Sequence, residues 1–126
     1  MDSDPQPLPA SAVAPGLFSL AQDGRGQGAI LHANTAEYAA PSRPAVAGEA
    51  LEIYLTGLSG LPASPRPEVT IGGVPAEVLF FGDAPGFVGL DQVNVRVPAG
   101  VAPGPAVPVR LTYAGVVGNE VTIAVR

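Results

Sequence analysis

The chain has no cysteine, no tryptophan and no lysine, and its single histidine is His32. Without cysteine there is no disulfide framework, and one histidine alone cannot build a tetrahedral zinc site. The lack of lysine excludes the self-formed Lys–Asn crosslink with which some surface β-domains brace themselves. Charged residues are also scarce, at 13% of 126 residues; all six cations are arginine and eleven carboxylates bring the net charge to −5. Duplex DNA and anionic bilayers both require a concentrated cationic face, so neither nucleic acid nor membrane insertion is expected. No apolar run approaches the roughly 20 residues of a membrane-spanning helix. The opening Met1-Asp2-Ser3-Asp4-Pro5 lacks the basic and apolar regions of a signal peptide.

What the chain does have is turn chemistry between β-branched runs. Sixteen glycines and fifteen prolines separate short segments in a chain that is 47% hydrophobic, a composition that suits a globular domain punctuated by reversals. In Leu51-Glu52-Ile53-Tyr54-Leu55-Thr56 the apolar side chains fall on every second residue, the mark of a strand with one buried face. The same alternation returns at Val69 and Ile71, Val78 and Phe80, Val93, Val95 and Val97, Val107 to Tyr113, and Val121, Ile123 and Val125. Short strands at this spacing predict a sandwich or a barrel, and no segment keeps a helical period for more than about two turns. Pro108, inside one of these runs, predicts an edge position or a site where its missing donor faces away from the ladder.

Ahead of these strands lie two weaker ones, Leu17 to Leu20 and Gly28 to His32, around the turn Asp23-Gly24-Arg25-Gly26-Gln27. Residues 33–48 show little periodicity and predict a loop or crossover. Residues 1–16, with Pro5, Pro7, Pro9 and Pro15, predict an extended arm or linker. The organisation expected is therefore an arm at 1–16 and one all-β module at 17–126, with its core at 49–126 and short extra strands at 17–33.

Several phrases carry a family likeness: Ala14-Pro15-Gly16-Leu17-Phe18, Gly26-Gln27-Gly28-Ala29-Ile30-Leu31, Val69-Thr70-Ile71-Gly72-Gly73-Val74-Pro75-Ala76, Ala84-Pro85-Gly86-Phe87-Val88-Gly89-Leu90 and Gln92-Val93-Asn94-Val95-Arg96-Val97-Pro98. On these the chain resembles, from about Val13 to Arg126, the Solibacter-type C-terminal domain family found at the ends of large exported acidobacterial proteins. Through Ile53-Tyr54-Leu55-Thr56-Gly57-Leu58, Ile71-Gly72-Gly73 and Gly118-Asn119-Glu120-Val121-Thr122-Ile123, it is also similar to the wider IPT/TIG group. The resemblance implies an immunoglobulin-like antiparallel β-sandwich in an extracellular or cell-surface setting, with the export signal outside this chain. It implies no activity, since the family carries no assigned chemistry; its members usually follow a long exported region, whereas here Met1 lies almost at the domain.

Candidate chemistry is thin. Ser19, Asp23 and His32 could be imagined as a triad, but no Gly-x-Ser-x-Gly elbow surrounds any serine, and His32 reads as a strand-edge imidazole meeting solvent. The glycine density of residues 23–28 suggests an anion cradle, yet it departs from the dinucleotide and P-loop fingerprints, so a turn is the better reading. Asp83 and Asp91 flank a Gly-Pro turn without the spacing of a calcium loop. No catalytic, cofactor or metal residue is assigned.

The residues expected to form an interaction surface are Pro5, Pro7 and Pro9 of the arm, Phe81 and Phe87. Phe80 and Phe81 are neighbours on one strand and must face opposite sides, so one of them packs inside. The expected function is a non-catalytic structural or interaction module of a larger secreted or surface protein. Its partner would be protein, with possible self-assembly into a homo-oligomer or filament through the arm; the alternative is an accessory carbohydrate-binding module for polysaccharide.

Overall fold

The computed structural model describes residues 16–56, 67–84, 90–113 and 115–126. Pro5, Pro7, Pro9 and Phe87 lie outside the described residues. The strands are β1 (Gly16–Leu17), β2 (Ile30–His32), β3 (Ala50–Thr56), β4 (Glu68–Ile71), β5 (Val74–Asp83), β6 (Asp91–Arg96), β7 (Gly104–Tyr113), β8 (Val116–Val117) and β9 (Val121–Val125). Every ladder between them is antiparallel. The described residues include no helix, and so none long and apolar enough to cross a membrane.

The strands form one sheet in the order β1-β3-β6-β5-β4-β7-β8, with β2 also on β3 and β9 also on β7. Continuity depends on β5, which pairs with β4 through residues 74–76 and then with β6 through residues 77–83. The sheet thus curls on itself, and its two ends are joined by the chain ahead of β3. Gly28 N donates to the Thr122 carbonyl (2.7 Å), Thr122 N to Gly26 (2.8 Å), Ala124 N to Ala39 (2.9 Å), Ala45 N to Ala124 (2.8 Å) and Arg126 N to Ala45 (2.9 Å). Four of these bonds form two parallel rungs, Gln27 opposite Thr122 and Ala45 opposite Val125, and the Ala39 bond lies between them. The result is an antiparallel sheet that is nearly a barrel.

The core follows the alternation. Leu51, Ile53, Leu55, Val69, Ile71, Val93, Val95, Val97, Val107, Val109, Leu111, Val121, Ile123 and Val125 are buried in one cluster, joined by Leu17, Ile30, Ala39 and Ala45. Each fully buried Val, Leu or Ile contributes about 1.5–3 kcal/mol. The predicted loop at 33–48 contains no strand, yet Ala39 and Ala45 are fully buried and supply closing rungs. Isolated rungs impose no side-chain period, which is why they are invisible to a periodicity reading.

A second departure lies in β5. The register slips between Val78 and Phe80, so that Phe80 stands opposite the outward Asn94 and Phe81 opposite the buried Val93. A bulge adds one residue and flips the faces beyond it. Phe80 is the exposed ring, and Phe81, expected at an interaction surface, is the one that packs against the core.

Pro108 sits in β7, which has neighbours on both sides. Its carbonyl accepts from Gly72 N (2.8 Å), and a strand residue's N and C=O point the same way. The ring nitrogen therefore faces the β4–β5 turn, where β4 has ended, and no ladder bond is lost. That turn is Gly72-Gly73, with φ of 60° and 80°; positive φ at both central residues is what a two-residue type I′ hairpin requires.

Gly28 is needed for a different reason, its closeness to the core. A Cβ there would lie 2.8 Å from Val121 Cγ2 and 3.0 Å from Ile30 Cδ1, both on fully buried side chains. Gly28→Ala is expected to destabilise by about 1–3 kcal/mol through overpacking, read as a lowered urea midpoint; an unchanged midpoint would mean that this seam is loose.

Candidate functional site

On the outer side of the sheet, where an antiparallel strand normally carries polar residues, the β1–β2–β3 region presents a shallow apolar groove of about 750 Å³. Phe18, Leu20, Leu31, Tyr38, Tyr54 and Leu90 supply its apolar lining. Local pairing sets their common orientation. Phe18 N donates to the Tyr54 carbonyl (3.3 Å) and Ala29 N to the Phe18 carbonyl (2.9 Å), which fixes Phe18 between β3 and the strand leading into β2. Leu31 faces Tyr38 across an antiparallel bridge and lies opposite Glu52 on β3, two residues before Tyr54 on the same face. Phe18, Leu20 and Tyr38 are 41%, 42% and 42% exposed, large values for apolar side chains gathered in one place.

Polar groups rim this surface. The Tyr54 hydroxyl donates to Glu52 Oε1 (3.1 Å); burial pushes its phenol above the ordinary value, and the Glu52 bond and charge add to this, so it stays protonated as a donor. Tyr38 and Gln22 also line the groove.

The edge of β1 beside the groove is closed by one side chain. Leu17 N donates to Asn119 Oδ1 (2.7 Å), while Asn119 Nδ2 donates to the Leu17 carbonyl (2.9 Å) and the Gly24 carbonyl (2.5 Å). The amide reproduces the donor and acceptor of a neighbouring strand, so Leu17 offers no free edge. Asn119→Ala should cost about 2–3 kcal/mol for the carbonyls and amide left unpaired and should expose the Leu17 amide to hydrogen exchange; continued protection of that amide would contradict the capping role.

Ser19, Asp23 and His32 are engaged in local structural contacts. Ser19 Oγ accepts from Asp23 N (3.2 Å) and Gly24 N (3.0 Å) and donates to Asp23 Oδ1 (3.2 Å). The Arg25 N–H on Asp23 Oδ1 (3.1 Å) is the main cause that holds the Asp23 carboxyl below its ordinary value. The amides of residues 23–25 thus turn inward onto Ser19 and Asp23, a self-satisfied turn rather than an anion cradle. Asp83 and Asp91 are brought opposite each other by the β5–β6 ladder, and among the described residues no group of three or more His, Cys, Asp or Glu is placed to hold a metal ion.

His32 is not the solvent-facing imidazole expected. It is only 5% exposed, with Nδ1 2.6 Å from Glu49 Oε2 and Nε2 2.7 Å from the Arg43 carbonyl. Both ring nitrogens face acceptors, so both bonds form only when the ring carries two protons, or when Glu49 carries one. Glu49 Oε1 in turn accepts from Val46 N (2.8 Å), and the Arg43 guanidinium pairs with Glu37. This latch fastens the closing segment 33–48 to the start of β3. Neither ring nitrogen is directed at Ser19, so no triad is assembled. His32→Ala is expected to destabilise by about 2–4 kcal/mol. A double-mutant cycle with Glu49→Ala should return a coupling of about 1 kcal/mol or more; additive effects would deny the latch.

Against protein-family models, curated proteins and solved structures, the chain finds no match. The groove was not read from the sequence, although one signal was there. Ile30 and Leu31 are consecutive apolar residues in an antiparallel strand, and Ile30 inside forces Leu31 outside.

Proposed function

We propose that this chain is a non-catalytic interaction module of a larger extracellular or cell-surface protein, of IPT/TIG-like immunoglobulin type, which receives an extended, proline-containing protein segment on its outer groove. The observation that carries this reading is the apolar, aromatic surface of Phe18, Leu31, Tyr38 and Tyr54 on the side of the sheet that faces water. Aromatic-lined grooves with unsatisfied donors at the rim suit proline-rich chains, whose rings stack on the aromatics while their carbonyls accept hydrogen bonds. Tyr38 and Gln22, which line the groove, carry side-chain donors of this kind. The sandwich-type family and the exported setting rest on the quoted phrases of sequence alone; the antiparallel, all-β architecture supports the β-rich part of the reading. The engagement of Ser19 and His32 in structural contacts supports a role without catalysis.

Polysaccharide is the second reading, favoured by the exposed rings of Phe18 and Tyr38, on which sugar faces can stack. Titration with proline-rich peptides and retention on insoluble glycans separate the two. Saturable peptide-induced shifts at Phe18, Leu31 and Tyr38 are expected, weakened about tenfold by Tyr38→Ala. Retention on glycan with no peptide response would replace this reading with the carbohydrate one.

A further inference from the structure

The seam over β9 is held at one end by a latch whose bonds require a proton. We infer that His32, Glu49 and the Arg43 carbonyl form a pH-operated switch: loss of one proton from the latch releases residues 43–45 from β9 and uncovers the outward backbone groups of Ala124 and Arg126 as a strand-pairing edge.

The latch has two fixed parts and one movable part. Glu49 is fixed, because its carbonyl accepts from Val97 N (2.9 Å) and its neighbour Gly48 donates to the Val97 carbonyl (2.9 Å), which continues the β3–β6 pairing. Its carboxylate holds Val46 N through Oε1 (2.8 Å) and the His32 ring through Oε2 (2.6 Å). His32 is fixed as well, opposite Leu51 on β3 and with its amide on the Glu37 carbonyl (2.9 Å). Arg43 is the movable part: its amide closes a local turn onto Ala40 (2.8 Å), and its carbonyl is tied to the sheet through His32 Nε2 (2.7 Å). Two residues further on, Ala45 donates to the Ala124 carbonyl and accepts from Arg126 N, which closes that end of the seam.

A cationic ring beside a carboxylate makes both bonds at once. When the ring keeps a single proton, the charge-assisted bond to Glu49 has the stronger claim on it. The bare Nε2 then faces the Arg43 carbonyl oxygen at 2.7 Å, acceptor against acceptor, on a ring only 5% exposed. Arg43 is pushed away, and the Ala45 rung beside it is strained. The closed form thus keeps a proton that the open form gives up as the pH rises, so closure weakens in that direction. Imidazole is the side chain that ordinarily trades a proton across the neutral range. The Glu49 side chain, 25% exposed, gives the proton a route to solvent.

Among the described residues, Glu49 is the one charged group bonded to the ring. Neighbouring charges are engaged with other partners. Glu37 pairs with the Arg43 guanidinium, and Glu52 on β3 accepts from Asn34 N (3.1 Å) and the Tyr54 hydroxyl (3.1 Å). Arg96 on β6 donates to the Gly48 carbonyl (3.1 Å) and to Glu77 (3.2 Å).

Amide exchange of the full chain at about pH 6 and about pH 8.5, each corrected for the intrinsic rate at that pH, tests the switch. Ring-nitrogen shifts of His32, the single histidine, report its protons in the same samples. The expected result is a ring with two protons at the lower pH and one at the higher, with protection of Ala45 and Ala124 falling about tenfold as one buried hydrogen bond is lost. Gly28 and Thr122, at the other end of the seam, and the β3–β6 ladder should keep their protection. In Glu49→Gln the carboxamide Oε1 can still accept from Val46 N, its Nε2 can donate to a bare Nδ1, and the ring Nε2–H can serve Arg43. That variant should therefore stay closed at both pH values. Equal protection of Ala45 and Ala124 at both pH values in the wild type would overturn the switch, whatever the ring does. A fall shared by Gly28 and the β3–β6 ladder, or one that persists undiminished in Glu49→Gln, would overturn it too. The wild-type comparison decides alone if Glu49→Gln does not fold.

Discussion

The structure depends on the outward row of β9. In an antiparallel strand, alternate residues turn their backbone groups to opposite sides; residues 121 and 123 serve β7, so those of 122, 124 and 126 need partners on the other side. A bare row of this kind invites pairing with another chain. Here it is filled by Gly26, Gly28, Ala39 and Ala45, residues that precede β3 in the chain and return to cover the seam.

 In full, the carbonyls of Gly26, Ala39 and Ala45 accept from the amides of Thr122, Ala124 and Arg126, and the amides of Gly28 and Ala45 donate to the carbonyls of Thr122 and Ala124. A nearly closed sheet results, with the aliphatic side chains of β3, β4, β6, β7 and β9 packed inside it.

Closure determines where the molecule can meet anything else. The closing segment has little hydrophobic area of its own and is fastened by polar means: the His32 ring between Glu49 and the Arg43 carbonyl, and the Asn119 amide across Leu17 and Gly24. These contacts occupy the His32 ring and the outward backbone groups of Leu17. They also leave Phe18, Leu31, Tyr38 and Tyr54 together on the outer side of the sheet. The same fastening that completes the fold therefore produces the groove.

The strands after residue 49 were legible because one buried face imposes a period of two, and Leu51 to Leu55, Val93 to Val97 and Val121 to Val125 all keep it. The choice between sandwich and barrel was not legible, since it turns on single backbone rungs at Gln27 and Ala45 that carry no side-chain pattern. Which of Phe80 and Phe81 turns inward was not legible, because a bulge leaves no mark in composition. His32 was misjudged for a similar reason: Glu49 and Arg43 are its partners only after the segment between them has folded back. The groove is assembled from three separate stretches, around Phe18, Leu31 to Tyr38 and Tyr54, so no local motif announces it.

Native-state hydrogen exchange of the Gly28, Ala45, Thr122, Ala124 and Arg126 amides tests the closure most directly. The account predicts that the interior ones, Gly28, Ala45, Thr122 and Ala124, exchange only through opening events nearly as costly as those that release the β3–β6 ladder. Exchange of Thr122 and Ala124 at the rate of an uncovered edge, while β3 and β6 stay protected, would contradict it and return β9 to an open sheet edge.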